Sequence, residues 1–207
     1  MRKILLASAA GLALGACMGA AQATTINAAF GYTSAGTLTD TRDFTIGFSF
    51  SLSAPVMINA LGVWSGDGGA SQTVGVWDSS NTLLISTVVD SSDPTSGDYR
   101  WHDASILLGA GTYLIATTYT GGDFLYNLGG VTTIPGFTWI GSYYLLGSGL
   151  VRPGSTSDDY GANAFANVNF SVAGIPVVPS TPVPEPASMV LLGGGLLGLG
   201  LARRKRG

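Results

Sequence analysis

The chain has 207 residues, close to half of them hydrophobic, with twelve acidic against nine basic side chains and a formal net charge of -3. That figure hides an uneven spread: between residues 24 and 173 stand eleven aspartates, three arginines (Arg42, Arg100 and Arg152) and no lysine, a balance of about -8. Such a body lacks the basic stripe that neutralising phosphates requires, which excludes nucleic acid as a partner, and with one cysteine and one histidine a zinc centre is not expected, since it needs three or four His, Cys or carboxylate ligands in convergence.

Met1-Arg2-Lys3, the apolar stretch 4–18 and the small residues Ala21 and Ala23 around Gln22 have the three parts of a secretory signal peptide. Residues 1–23 are expected to form the signal helix, with cleavage after Ala23 leaving Thr24 first and removing Cys17. A competing reading takes Leu14-Gly15-Ala16-Cys17 as a lipoprotein box that would retain Cys17 as a lipid-bearing first residue.

Residues 24–173 are long enough for one domain with a sizeable core. Phe44, Ile46, Phe48, Phe50 and Leu52 alternate with Thr45, Gly47, Ser49 and Ser51, and Ala166, Val168, Phe170 and Val172 alternate with Asn167, Asn169 and Ser171. Both patterns describe a strand buried on one face. Further strands are expected at 25–32, 56–64, 73–77, 82–89, 100–107, 113–119 and 138–146. Turn signals at 66–69, 78–81, 93–94, 109–111 and 121–122 separate them. With no 3.6-residue period, the fold class is all-β: a single β-sandwich, jelly-roll-like, with a β-barrel as the alternative.

Chemistry is sparse in this body. His102 is the one imidazole, no nucleophile elbow accompanies it, and Asp103, as the next strand residue, points to the opposite face. Paired aspartates in the loop holding Asp90, Asp93 and Asp98, or at Asp158-Asp159, offer the acids of a secreted hydrolase, although loop aspartates more often bond nearby backbone amides. Asp67, Asp90 and Asp93 supply hard oxygens for calcium without EF-hand spacing. Trp64, Trp77, Trp101, Trp139, Tyr143 and Tyr144 raise a glycan-binding reading, in which aromatic rings stack on sugars of an exopolysaccharide. Trp77 leads it, because its parity is opposite to Val74 and Val76, so it faces outward or into a covering loop.

Five prolines between residues 174 and 186 make a stiff spacer that in polyproline conformation extends about 40 Å. The apolar residues 187–202 follow, about 24 Å long as a single transmembrane helix, and then the basic stop signal Arg203, Arg204, Lys205 and Arg206. Positive residues at both ends are held on the cytoplasmic side, which leaves 24–186 outside and 203–207 as a cytoplasmic tail. Glu185 is the one glutamate in the chain, and it stands between prolines that keep it extended at the membrane surface.

Val183-Pro184-Glu185-Pro186, the Leu/Gly-rich span and the terminal basic cluster together resemble the PEP-CTERM sorting signal of bacteria that carry an exosortase. The resemblance implies that a membrane-embedded transpeptidase recognises Pro184-Glu185-Pro186, cuts near it and passes an inner-membrane-anchored precursor on to the cell surface or extracellular matrix. Residues 48–119 also resemble a sandwich domain found ahead of this signal and of uncharacterised function, on Ala60-Leu61-Gly62-Val63, Val74-Gly75-Val76-Trp77-Asp78 and Leu108-Gly109-Ala110-Gly111-Thr112-Tyr113. The expectation is a non-enzymatic exported protein without cofactor.

Overall fold

Side-chain alternation becomes sheet geometry in the computed structural model, which describes residues 25–156 and 165–174. Twelve strands follow in order: β1 (Phe30–Gly31), β2 (Ser34–Leu52), β3 (Val56–Trp64), β4 (Gln72–Asp78), β5 (Leu83–Val89), β6 (Thr95–Ser96), β7 (Tyr99–Leu108), β8 (Gly111–Gly129), β9 (Thr132–Thr133), β10 (Phe137–Leu146), β11 (Ser155–Thr156) and β12 (Val168–Val172). They form a six-stranded sheet in the order β11-β10-β2-β8-β4-β5, a four-stranded sheet β12-β3-β7-β6 and the small pair β1-β9. All pairings are antiparallel. The chain is all-β among the described residues, as expected.

The two larger sheets share one core. Phe48, Phe50, Val74, Val76 and Ile115 from the first meet Ile58, Leu61, Val63, Val168 and Phe170 from the second, and each large side chain so buried stabilises the fold by roughly 1.5–3 kcal/mol. Aromatic rings fill its centre: Phe50 lies 5.0 Å from Phe170 and 5.3 Å from Phe137, and Trp139 stacks on Phe48 at 4.0 Å. A second apolar cluster continues the core toward one end of β2, where Phe44 and Ile46 meet Tyr119, Phe124 and Phe165.

Three differences from the expected elements have physical reasons. Only Phe30–Gly31 of the expected strand 25–32 pairs as a named strand. Residues 34–43, which show no apolar alternation, are strand because β2 pairs with β8 along nearly its whole length, from Ser34↔Gly129 to Leu52↔Gly111. The Gly121-Gly122 signal marks no turn: β8 runs through it, with φ of 73° and 131°, opposite the irregularity between Asp40 and Asp43. Glycine there lets the strand bulge without reversing. The signal helix and transmembrane helix expected at 1–23 and 187–202 lie outside the described residues, among which no helix is long and apolar enough to cross a membrane.

Candidate functional site

The aromatic residues distribute themselves by parity. Trp101 is buried and belongs with Tyr99 to the inter-sheet core, Trp139 stacks there, and Trp64 packs against it partly buried. Trp77 occupies the other face of the six-stranded sheet, clustered with Leu114, Ala116, Tyr143 and Leu150. The ring lies across Gly75, where an added Cβ would come within 2.7 Å of Trp77 and 2.9 Å of Leu150.

A segment following β10 covers this cluster. It is fastened by Gly147 N–H to the Asp43 carbonyl at 2.9 Å, the Thr45 hydroxyl to the Gly149 carbonyl at 3.0 Å, and Val151 N–H to Thr45 Oγ1 at 3.3 Å. Trp77 is therefore 5% exposed. Of the two positions its parity allowed, it takes the one beneath a covering loop, and its ring presents no open face for stacking on a sugar.

Several of the described aspartates are engaged by their neighbours. Asp67, at the end of a short 3-10 turn (Ser65–Asp67), accepts from Arg100 Nη2 at 2.9 Å, from Gly69 N–H at 3.0 Å and from the Gln72 amide. Gln72 Oε1 in turn accepts from the Thr117 hydroxyl at 3.0 Å. The result is a buried polar chain from the 3-10 turn through β4 to β8, with Arg100 of β7 as its cation. Asp78 accepts from Ser80 and Thr82 N–H groups and closes the β4–β5 hairpin expected around 78–81, where Asn81 supplies a φ of 67°.

Asp90 accepts from the backbone and hydroxyl of Ser92, and these bonds hold its carboxyl below the usual carboxylate value. Asp93 accepts from Asp90 N–H and pairs with His102 Nδ1 at 2.9 Å. Asp93 is thus the carboxylate facing the imidazole, a partner that sequence adjacency could not reveal. Asp103 stands opposite Ala60 while His102 stands opposite Leu61, so the two alternate across the strand. Among the described residues no three His, Cys, Asp or Glu side chains converge on a point able to hold a metal ion, and Asp67 and Asp90 lie in separate networks.

A cleft of about 180 Å³ opens at the Phe44 end of the sandwich. Phe44, Phe124, Tyr144 and Phe165 line it with Ile46 and Leu146, and Asp40 and Arg42 stand at its rim. The rings pack edge to face, Phe124 against Phe165 at 5.8 Å and Tyr144 against Phe165 at 6.1 Å. Arg42 Nη2 lies 2.6 Å from Asp40 Oδ2, and its guanidinium sits 5.1 Å over the Phe44 ring. Hydrogen bonds from Arg42 lower the Asp40 pKa. Nothing in the local pattern announced this cleft, because its walls come from β2, β8, β10 and the residue that leads into β12.

The sorting residues Val183, Pro184, Glu185 and Pro186, the basic residues Arg203, Arg204, Lys205 and Arg206, the cleavage residues Ala21 and Ala23, and Asp158 and Asp159 all lie outside the described residues. No curated protein matches the chain. Residues 182–206 match the family described as the PEP-CTERM protein-sorting motif. That span begins just before Val183 and ends with Arg206, so it takes in the proline-flanked glutamate, the apolar run and the basic cluster together. The chain therefore carries a PEP-CTERM sorting motif, the mark of an exported protein with a membrane-anchored precursor that is processed by an exosortase, a membrane enzyme.

Proposed function

We propose that the mature protein is a non-enzymatic component of the cell surface or extracellular matrix, with the sandwich as its working part and the matched segment as a removable address. The observation that carries this reading is the match over 182–206. The use of the acids supports it: Asp67 is engaged by Arg100, Asp93 by His102 and Asp40 by Arg42, while Asp78 and Asp90 serve as turn formers. Intact-mass measurement on protein from its native host tests the address. Loss of the first 23 residues and of the segment after Pro186 is the expected result; a retained Arg203-Arg204-Lys205-Arg206 end would make the segment a plain anchor. A Glu185→Gln chain with the Pro-Glu-Pro order scrambled should stay unprocessed.

The end cleft favours a second reading, binding of exopolysaccharide. An aromatic-walled recess with one carboxylate and one guanidinium at its rim has the composition that holds a sugar ring by its apolar face and its hydroxyls. Binding to acidic or neutral polysaccharides that is lost in Tyr144→Ala and kept in Trp77→Phe would support it. Absence of binding across both classes would remove it.

A further inference from the structure

The chain enters and leaves the sandwich at one end. Ala28 bridges Ser171, Val172 N–H donates to the Asn27 carbonyl and Ala173 N–H to the Met57 carbonyl, both at 2.9 Å. The segment arriving through Thr25 and the one leaving through Gly174 therefore share the Met57 end of β3. Leu52 pairs with Gly111 and Phe137, and Val56 with Leu108, so the turns at 53–55, 109–110 and 134–136 gather at the same end. Charge is nearly absent from it. Residues 44–66, 104–122, 124–151 and 165–174 contain no Asp, Glu, Lys or Arg, and Asp78, which stands toward this end opposite Tyr113, accepts from the Ser80 and Thr82 N–H groups. Asp40, Asp43, Asp67, Asp90, Asp93 and Asp98 belong to the other end, where Phe44 pairs with Tyr119 and Leu146, Trp64 with Tyr99 and Gln72 with Val89. Next to the exit, Met57 and its cross-strand partner Leu107 are 41% and 62% exposed.

We propose that in the membrane-anchored precursor this nearly charge-free end is the surface that lies against the lipid bilayer, with Met57 and Leu107 entering the headgroup layer and the charged end, with its cleft, turned away. The tether selects the partner. The sorting motif at 182–206 follows the exit closely, and the residues from 174 to 186 reach about 40 Å at most, so this is the end held next to the membrane. A contact of two exposed apolar side chains is weak by itself, but a short tether keeps the effective concentration in the roughly millimolar range.

Charge fixes the orientation. Carboxylates brought to an anionic leaflet meet like charge, a repulsion that dies away within a Debye length of about 8 Å at physiological salt. The part of β2 from Phe44 to Leu52 spans roughly 26 Å of strand, which carries the acidic end beyond that reach when the neutral end is down. The inverse orientation would press the carboxylates into the headgroups and leave Met57 and Leu107 in water. The orientation holds whether or not the cleft takes a sugar.

The precursor reconstituted in vesicles of phosphatidylcholine and phosphatidylglycerol, some lipids carrying a nitroxide on the headgroup, tests the proposal. With Cys17→Ser throughout, a fluorophore is placed at Leu107→Cys or at Leu146→Cys, the latter 51% exposed at the cleft end. The expected result is at least twofold quenching of the Leu107 label and none of the Leu146 label. Equal quenching of both, stronger quenching at Leu146, or none at either would overturn it. Met57→Asp added to the Leu107→Cys chain separates contact from mere tethering: quenching should fall at least twofold while the far-ultraviolet circular dichroism stays that of the native sheet. Quenching that Met57→Asp leaves unchanged would refute the contact. A Leu107 label shielded from the nitroxide, with emission that shifts with protein density, would place a second copy on this surface and overturn the proposal as well.

Discussion

Asp67–Arg100 and Asp40–Arg42 are the same chemical pair in two settings. Their N···O separations are 2.9 and 2.6 Å, but the side chains are 3% and 6% exposed in the first and 21% and 63% exposed in the second. The rim pair joins residues two apart on one strand, where the register of β2 against β8 shifts. The buried pair joins residues 33 apart and extends through Gln72 to Thr117. Distance alone therefore says little about importance. What differs is the cost of leaving a partner behind, small where water can replace it and large where it cannot.

The largest expected effect comes from breaking the buried pair on one side. Asp67→Ala leaves Arg100 charged in the interior and strips acceptors from Gln72 and Gly69, and should cost about 3–5 kcal/mol in urea unfolding. A cost under about 1 kcal/mol would mean that water reaches the network, which would break the comparison with the rim pair. Removing both charges sharpens it: Asp67→Leu with Arg100→Met should recover most of that loss, because an apolar pair of similar volume carries no uncompensated charge.

An effect of intermediate size is expected at high pH. Burial pushes the Tyr99 and Tyr119 phenols above their ordinary value of 10.0, and burial with Asp98 alongside does the same for Tyr32. A phenol that keeps its proton more firmly in the folded state stabilises the fold fully below about pH 10, and that contribution falls away as the pH climbs from the unfolded toward the folded value. Alkaline titration should show these phenolates appearing together with loss of the sheet signal. Tyr99→Phe should move the transition to higher pH even though it gives up the 2.7 Å bond from Tyr99 to the Ala166 carbonyl.

The smallest effect belongs to the rim. Asp40→Asn should cost no more than about 1 kcal/mol at neutral pH, and less in high salt. Because Arg42 holds the folded-state Asp40 pKa below its ordinary 3.8, the contribution is present above that value and disappears as the pH falls through the folded-state pKa. Acid titration of the two chains should therefore show their stabilities converging at low pH. A difference that grows on acidification would contradict the pairing.

Much of the strand content was legible because alternation is a local property. The inner face of β2 from Phe44 to Leu52, all of β3 and the Asp78–Asn81 hairpin could be read directly, and so could the parity that sets Trp77 apart from Val74 and Val76. The first ten residues of β2 could not, since polar side chains on both faces carry no period, and they are strand only because β8 lies beside them. Tyr143 and Tyr144 were equally opaque. The register shift between Trp139 and Gly141 reverses the facing of everything after it in β10, so Tyr144 lines the end cleft and Tyr143 joins Trp77.

The amino-acid sequence by itself determined the sorting address and the all-β class, because each is written in neighbouring residues: prolines around one carboxylate, apolar residues before a basic cluster, hydrophobes at every second position. Only the tertiary structure decided which aspartate meets which cation, which tryptophan is covered and where a cleft opens. Asp67 with Arg100, Asp93 with His102 and Trp77 with Leu150 are brought together by sheet packing and by a segment folding back, and the free energy that selects such partners depends on burial, which no short stretch of chain encodes.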